Sequence, residues 1–360
     1  MSGYRRQYLS DGRDFFAYYR AAERFAQGLS PYFYTKDFAF KYAPVSVLIY
    51  LPFTLLRYET ARWVYLLLHC FVVVASPWLA LKIIQHSSSI KWSWKELAIS
   101  QLVSLMATLR FIDGEFQVSQ SGISLLFLIL LGLRAIQGLS GRLRFIGVFL
   151  VGLGGITKIH SISLFSLFTK NIKSVWLSAL VMVPLILLPK PTLWFDWWVQ
   201  TQQTYRDLPM HPPEYQFQGI YPLSMWAFGF DQFSIQPLLL WLGLFVVVWW
   251  LLPKFDLFDW VSRSESLMMS LIALMATTLI GSPLPWHYTF SVFWVFLFVS
   301  YLLANPNEKK VLIAVSLVLG LTPQGILGID LSRWIESYQS ITWLSFVLIA
   351  LWVKQARRLA

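Results

Sequence analysis

Two acidic residues near the start of the chain are candidate functional residues. Asp11 and Asp14 precede a stretch of helical periodicity over residues 15–27, and Gly28 follows it. Asp14 and Tyr18 are four residues apart, so they share one face of this predicted helix. A carboxylate that is ionised near neutral pH can act as a general base. Asp14 can equally cap the helix that follows it, so both roles stay open.

Further polar residues lie at the ends of apolar stretches. They are Arg110, Asp113, Glu115, Gln120, Lys158, His160, Arg206, Asp207, His211, Glu214, Trp286 and His287. Ionisable groups at membrane depth are functional-site candidates by default. Carboxylates mixed with Lys, Arg and His favour transfer of an anionic group or departure of a phosphate. Simpler interpretations also stay open. Lys158 can reach lipid headgroups, and His287 can make an interface hydrogen bond. Asp113 and Glu115 can be solvated loop charges.

Composition indicates an integral membrane protein. Apolar residues make up 57% of the chain and charged residues only 13%, against about 25% charged residues in soluble domains. The net charge of +11 comes from basic residues that lie between apolar stretches, which is typical of cytoplasmic loops and lipid contact. We therefore expect no nucleic-acid partner. Cys70 is the one cysteine, which excludes a disulfide framework and a thiolate metal cluster.

Long apolar runs predict an all-α bundle of membrane-crossing helices. The predicted crossings cover residues 62–84, 94–112, 119–138, 145–157, 174–188, 235–252, 267–281, 286–304, 311–321 and 341–354. Residues 159–168 must return the chain between the fourth and fifth crossings, which predicts a broken or re-entrant helix pair around Gly154, Gly155 and Lys158. With a first helix that we expect to be missing from this reading frame, the bundle has about 11 transmembrane segments.

Lys and Arg residues cluster in alternate connections, which we assign to the cytoplasm together with the C-terminus. The outer face then receives residues 1–61, 113–118, 189–232, 282–285 and 322–340. This divides the chain into a first outer loop with juxtamembrane helices, residues 1–61, and a transmembrane bundle, residues 62–360, with a long outer loop at 189–234.

The beginning of the chain is polar and basic over residues 1–10 and shows no signal peptide. An outer N-terminus without a preceding crossing is the reason to expect a missing first helix. Residues 43–56 are apolar but short and contain Pro44 and Pro52. We predict that they form a juxtamembrane helix against the outer leaflet.

Several short motifs follow one another in a fixed order. They are Asp14 to Ala22 with Gly28 and Pro31-Tyr32, Tyr42-Ala-Pro44 with Leu51-Pro52-Phe53, Ser119-Gln120, the glycine-bearing stretch 152–158 that ends in Lys158, and Ser282-Pro283 with Trp286-His287. In this order they resemble glycosyltransferase family 87, polytopic enzymes of the GT-C superfamily that use polyprenyl-phosphate sugars. Ser119 stands where that family has glycine.

The resemblance implies a mechanism and a set of site residues. Asp14 would be the general base of an inverting transfer, and Lys158, Arg206 and His287 would bind the donor phosphate. Substrate-binding or supporting roles would fall to Tyr18, Asp11, Gln120, His160, Trp286 and Arg110. No metal and no other cofactor is expected.

The resemblance also implies partners and a location. The donor would be a polyprenyl-phosphate hexose, with mannose as the family's sugar, and the acceptor a glycan or glycolipid. The enzyme would sit among the lipids of a bacterial inner (plasma) membrane with its active site on the periplasmic or extracellular side.

Other classes of function remain open from the residues. A transporter or lipid flippase would use buried Lys and His as a substrate path, although no two similar halves are visible. A lipid-linked glycan polymerase or ligase would centre on Arg and His in a long outer loop, and residues 206–214 keep that alternative open. An inactive relative is a further alternative.

Overall fold

The computed structural model describes residues 13–32, 40–87, 91–119, 121–137, 141–157, 189–207, 287–321 and 340–359, with isolated positions between 183 and 187 and between 327 and 335. Every regular element in these ranges is helical, so the all-α prediction is confirmed for them. Contacts divide the chain into two compact units.

The first helix of the first unit, α1, spans Arg13–Ala26, close to the predicted 15–27. Phe15, Tyr18 and Ala22 are buried on its inner face, which explains the periodicity. Gly28 follows the helix with a φ of +75°. Glycine adopts this left-handed conformation without steric cost, so the helix ends where the sequence predicts.

The apolar stretch after α1 folds into three short helical pieces. They are a 3-10 turn at Pro44–Ser46, an α-helical turn at Val47–Tyr50 and a 3-10 turn at Leu51–Leu55. Pro44 and Pro52 lie in first turns, where the missing proline N–H costs no helical hydrogen bond. Tyr50 is buried against α1. The helical prediction is confirmed, and its location at the outer leaflet stays a prediction.

Two long helices follow, α2 at Tyr58–Ser87 and α3 at Trp94–Val118. Their 30 and 25 residues exceed the roughly 20 needed to cross a bilayer. The parts long and apolar enough to cross are Tyr58–Gln85 and Trp94–Phe116. Leu67 and Phe71 of α2 expose 69% and 59% of their surface, which suits contact with lipid chains. The first two predicted crossings are therefore confirmed as helices of membrane-spanning length.

Helix α3 continues through residues 113–118, so these residues are helical, and their location on the outer face stays a prediction. Glu115 is fully buried, and its Oε1 accepts the backbone N–H of Ile123 at 2.8 Å. The carboxylate therefore has a protein partner and does not need water. The interpretation of Glu115 as a solvated loop charge is therefore wrong. Asp113 is exposed, as a solvated charge would be.

Helices α4, Gly122–Gln137, and α5, Gly141–Thr157, pack as an antiparallel pair. Helix α5 runs unbroken through Gly154 and Gly155 and ends at Thr157, where the predicted crossing 145–157 ends, so the break predicted around Gly154, Gly155 and Lys158 does not fall at the glycines. Gly154 instead lies against Ile129 of α4, because a small residue lets two helices approach closely. Lys158, which the same prediction includes, lies outside the described residues.

Helix α6 spans Pro191–Asp207, within the segment predicted as a long outer loop at 189–234, and the location of that segment stays a prediction. Leu193 is buried in the cluster that surrounds α1. The Ser30 hydroxyl donates to an Asp196 oxygen at 2.7 Å, and the Trp197 indole N–H donates to the Lys41 carbonyl at 3.0 Å. These contacts fix α6 against the segments that flank α1.

The second unit contains α7, Phe293–Leu303, which follows a 3-10 turn at His287–Val292 and is almost entirely buried. It also contains α8, Pro306–Leu321, and α9, Ser340–Leu359. Ser300 of α7 donates to the Gln355 side-chain oxygen at 2.8 Å, and the Gln355 amide donates to the Ser300 carbonyl at 3.0 Å. These buried bonds tie α7 to α9.

Helices are thus confirmed at the predicted crossings 286–304, 311–321 and 341–354. The crossings predicted at 235–252 and 267–281, and most of 174–188, lie outside the described residues. A total of about 11 segments and the orientation of the bundle stay predictions.

Candidate functional site

Asp14 lies in the first turn of α1, where the positive end of the helix dipole favours a carboxylate. The Asp14 side chain is partly buried. Tyr18, one helical turn further, is buried, and its ring stacks on Tyr50 with ring centroids 4.6 Å apart. Asp14 therefore stands beside a buried aromatic layer.

The hydroxyl of Tyr42 joins this layer to two other parts of the chain. It lies 3.0 Å from the Tyr18 hydroxyl and accepts a hydrogen bond from the Ser121 hydroxyl at 3.1 Å. The backbone carbonyl of Tyr42 accepts the Tyr32 hydroxyl at 2.7 Å. Three stretches that are far apart in sequence, around residues 18, 42 and 121, therefore meet in one chain of hydroxyl groups.

Burial and neighbouring charges keep the phenols of this chain of hydroxyl groups neutral. Burial raises the pKa of Tyr18 well above its ordinary value, and the neighbouring Tyr42 and the charge of Asp14 raise it further. Burial also raises the pKa of Tyr42, while its hydrogen bonds to Ser121 and Tyr18 act in the opposite direction. The charges of two carboxylates, Asp14 and Glu115, both raise the pKa of Tyr42. The phenols therefore keep their protons near neutral pH.

Glu115 anchors the far end of this hydroxyl chain. Besides its bond to Ile123, its Oε1 lies 3.9 Å from Nε2 of His69, and both side chains are about 1% exposed. The other ring nitrogen of His69 lies 3.1 Å from the Ser124 hydroxyl. Glu115 and His69 therefore both contact the first turn of α4, where a negative charge is stabilised by unpaired backbone N–H groups.

The turn between α3 and α4 has little spare room. A Cβ atom on Gly122 would lie only 3.0 Å from Glu115 Oε1, so glycine lets the carboxylate cover the helix start. Ser119 has a φ of +55°, which is a left-handed conformation that costs a non-glycine residue energy. Ser121 then accepts the Leu125 N–H at 2.9 Å through its carbonyl. The turn thus holds the Ser121 hydroxyl beside Tyr42.

A comparison with models of protein families finds one match, to glycosyltransferase family 87, over residues 40–283. The match covers more than half of the chain. The chain belongs to glycosyltransferase family 87. No curated protein and no solved structure gives a significant match.

Family membership makes this protein a glycosyltransferase. The family and the membrane-spanning length of α2 and α3 together support a membrane protein. The resemblance stated from the motifs is therefore confirmed. The matched region contains Tyr42 and the α3–α4 turn with Ser121, whereas Asp14 and Tyr18 precede it. The hydroxyl chain thus connects α1 to two stretches that the family match includes.

Several of the predicted site residues lie outside the described residues. They are Asp11, Gln120, Lys158, His160 and Trp286. Arg206 lies in the last turn of α6, and His287 begins the 3-10 turn before α7. The donor-phosphate roles of Lys158, Arg206 and His287 stay predictions.

Arg110 lies on α3 in the second unit, with its guanidinium 4.5 Å from the centre of the Phe111 ring. Phe111 in turn contacts Phe290. The supporting role predicted for Arg110 therefore stays untested. Among the described residues, no group of three or more His, Cys, Asp and Glu side chains has the arrangement of a metal site.

Ser121 and His69 are not predicted from the sequence, and the roles of Tyr42 and Glu115 in this hydroxyl chain are not predicted either. Tyr42 was noted only as part of a motif, and Glu115 was assigned to a loop. One signal was available: an acidic residue, Glu115, and a serine before a glycine, Ser121, both lie near predicted helix termini. Their convergence depends on tertiary packing, which the spacing of residues along the chain does not specify.

Proposed function

We propose that this family 87 enzyme transfers a hexose, with mannose as the expected sugar, from a polyprenyl-phosphate donor to a hydroxyl of a glycan or glycolipid acceptor. The acceptor oxygen attacks the anomeric carbon while Asp14 takes its proton. The bond from that carbon to the phosphate oxygen breaks on the opposite face, and the lipid phosphate leaves. The anomeric configuration therefore inverts in a single displacement.

The position of Asp14 supports its role as the base. It is partly buried in the first turn of α1, where the helix dipole favours the ionised carboxylate that proton abstraction requires. The neighbouring phenols of Tyr18 and Tyr42 stay neutral because burial raises their pKa values. They add no negative charge that would repel the leaving phosphate.

The departing phosphate gains charge in the transition state, and cations held in a site that excludes water stabilise such charge. We assign this role to Lys158, with Arg206 and His287 as further ligands. Because the donor is a monophosphate, it has no diphosphate for a metal ion to bridge, so the proposal includes no metal.

The membrane location follows from the chemistry of the donor. A polyprenyl chain stays among lipid tails, so its phosphate must be met at the membrane surface. The Lys and Arg distribution favours a cytoplasmic C-terminus and a site on the periplasmic or extracellular side of the plasma membrane. Asp11, Gln120, His160, Trp286 and Arg110 complete the proposed set of supporting residues.

One observation carries the proposal. The helix face of Asp14 is tied, through the hydroxyls of Tyr18, Tyr42 and Ser121, to stretches inside the region that matches family 87. A carboxylate that only capped α1 would not require this connection to two distant parts of the family's core.

The test is a transfer assay with the full chain in lipid nanodiscs. A panel of polyprenyl-phosphate hexoses is supplied with an acceptor lipid, and release of polyprenyl phosphate is measured. Asp14→Asn should reduce transfer by at least about 10²-fold, because it removes the base, and should leave donor binding intact. Transfer at the wild-type rate by Asp14→Asn would remove Asp14 from the mechanism.

Glu23→Gln provides the matched control. Glu23 is the other acidic residue of α1 within the described residues, and it pairs with Arg20 on the exposed side. It should leave transfer unchanged. Equal losses in both variants would mean that α1 needs negative charge in general rather than a base at position 14.

A further inference from the structure

The buried carboxylate of Glu115 lies at the far end of the hydroxyl chain from Asp14. It is fully buried, accepts the Ile123 N–H at 2.8 Å and lies over Gly122. Burying a carboxylate costs free energy, so the burial of Glu115 at the start of α4 requires specific contacts that offset this cost. The α3–α4 turn that it closes is the turn that carries Ser121.

Hydrogen bonds between side chains link this turn to α1. Ser121 donates to the Tyr42 hydroxyl at 3.1 Å, and the Tyr42 hydroxyl lies 3.0 Å from that of Tyr18. Because Tyr42 accepts from Ser121, its own proton is available for the Tyr18 oxygen. Tyr18 and Asp14 share one face of α1.

We propose that Glu115 is a positioning residue for Asp14. By holding the first turn of α4, it fixes Ser121, and through Tyr42 and Tyr18 it fixes the face of α1 that presents the base. The inference rests on the proposed function in one respect, namely that Asp14 is the base. It assigns no contact between Glu115 and the substrates.

The aromatic side chains packed around the Ser121–Tyr42–Tyr18 hydrogen bonds allow a displacement at one end to move the other end. Tyr18 is stacked on Tyr50 and also contacts Tyr42, with ring centroids 5.3 Å apart. Phe15, on the same helix, stacks on Tyr65 of α2 with centroids 4.5 Å apart. Since this layer is densely packed, a shift of the α3–α4 turn has few ways to relax other than by moving α1.

The experiment compares three variants of the full chain in nanodiscs. Glu115→Ala removes the acceptor for the Ile123 N–H. Glu115→Gln keeps an oxygen that can accept it and removes the charge. Glu96→Ala is the matched control, because Glu96 also caps a helix start, accepting the Ser93 N–H at 2.9 Å. Glu96 belongs to the opposite end of α3.

Two properties are measured for each variant, the kinetics of transfer and amide hydrogen exchange over residues 13–26. Glu115→Ala should lower kcat by about 10²-fold, since small displacements of a catalytic group have effects of that size, and should change KM by less than about threefold. It should speed exchange in α1 by about tenfold or more. Glu115→Gln should restore both properties to within about threefold of wild type, and Glu96→Ala should resemble wild type.

Three results would overturn the inference. One is unchanged exchange in α1 of Glu115→Ala. Another is a Glu115→Gln variant as slow as Glu115→Ala, because the charge rather than the cap would then matter. The third is an equal effect of Glu96→Ala on α1. If the wild-type chain shows no transfer, the proposed function fails, and the exchange data alone decide whether Glu115 positions α1.

Discussion

The phenolic oxygens of Tyr18 and Tyr42 lie 3.0 Å apart, and the second of them accepts a hydrogen bond from Ser121. This pair joins the helix that carries Asp14 to a segment that begins the family 87 match. Because a hydroxyl group can both donate and accept, Tyr42 can bond to Ser121 and to Tyr18 at the same time. The loss of one hydroxyl should therefore affect both ends.

Tyr42→Phe removes the central hydroxyl and leaves the ring in place. The Tyr18 and Ser121 hydroxyls then lose this partner in a buried setting, so the free energy of unfolding should fall by about 1–3 kcal/mol. Transfer should fall as well, because α1 is less firmly held. Tyr19→Phe is the control, since its hydroxyl donates to the Leu56 carbonyl at 2.9 Å outside the chain. Thermal unfolding and the transfer assay check both variants, and equal transfer by the two would contradict the role of the chain.

The close approach of α4 and α5 gives a second prediction. A Cβ atom on Gly132 would lie 2.6 Å from the Gly147 carbonyl oxygen, and one on Gly147 would lie 2.5 Å from the Gly132 carbonyl oxygen. Alanine gains about 1 kcal/mol over glycine in a helix, but a clash with backbone costs about 1–3 kcal/mol. Gly132→Ala and Gly147→Ala should therefore each destabilise the protein.

The double variant sharpens this test. Both clashes are relieved by the same separation of the two helices. The double substitution should therefore lower the free energy of unfolding by less than the sum of the two single substitutions. Gly154→Ala is the control, because its nearest neighbour is the Ile129 side chain at 2.9 Å, which can shift more readily than backbone. Equilibrium unfolding in mixed micelles measures all four variants, and strict additivity would argue against a shared contact.

The sequence was sufficient to predict α1, because its signals are local. Residues 15–27 show a helical period, and Gly28 provides the left-handed residue that ends the helix. The Tyr42–Ser121 bond could not be predicted, since 79 residues separate the partners and only tertiary packing brings them together. Glu115 was assigned to a loop because a charge after an apolar run usually marks the membrane surface.

Helix α6 was missed for a different reason. Its Trp and Gln residues have no single apolar stripe, so the sequence pattern favoured a loop. The helix is held in place by contacts such as Ser30 to Asp196, which are 166 residues apart. In the same way, the glycines of α5 favoured a break because glycine weakens helices, whereas close packing on α4 compensates for that weakness.

Backbone strain at Ser119 gives a third prediction. Its φ of +55° costs a non-glycine residue about 1–2 kcal/mol, while glycine loses about 0.5–1 kcal/mol through its freer unfolded chain. Ser119→Gly should therefore raise the free energy of unfolding by up to about 1 kcal/mol. Ser119→Ala also removes the hydroxyl but keeps the strain, so it should give no gain. Thermal unfolding of the pair isolates the backbone effect, and equal stabilities would mean that the turn is not strained.

Alkaline pH provides the last prediction. Burial raises the pKa values of Tyr18, Tyr32 and Tyr42 above the ordinary value of about 10. The folded protein therefore holds protons that the unfolded chain releases. Their contribution to stability is fully present below about pH 10 and is lost as pH rises through the folded pKa values. Each phenol should lower the free energy of unfolding by about 1.4 kcal/mol per pH unit above that point.

Tyrosinate absorbance and unfolding free energy, followed together from neutral to alkaline pH, test this linkage. Exposed phenols should ionise first, and these three should ionise only as the first unit unfolds. Tyr42→Phe should reduce the alkaline slope of stability by one proton, because one of the linked groups is gone. An unchanged slope in that variant would contradict the prediction, as would complete ionisation near pH 10 in a folded chain. Either result would mean that water reaches the phenols beside Asp14, which the packing of Tyr18 on Tyr50 argues against.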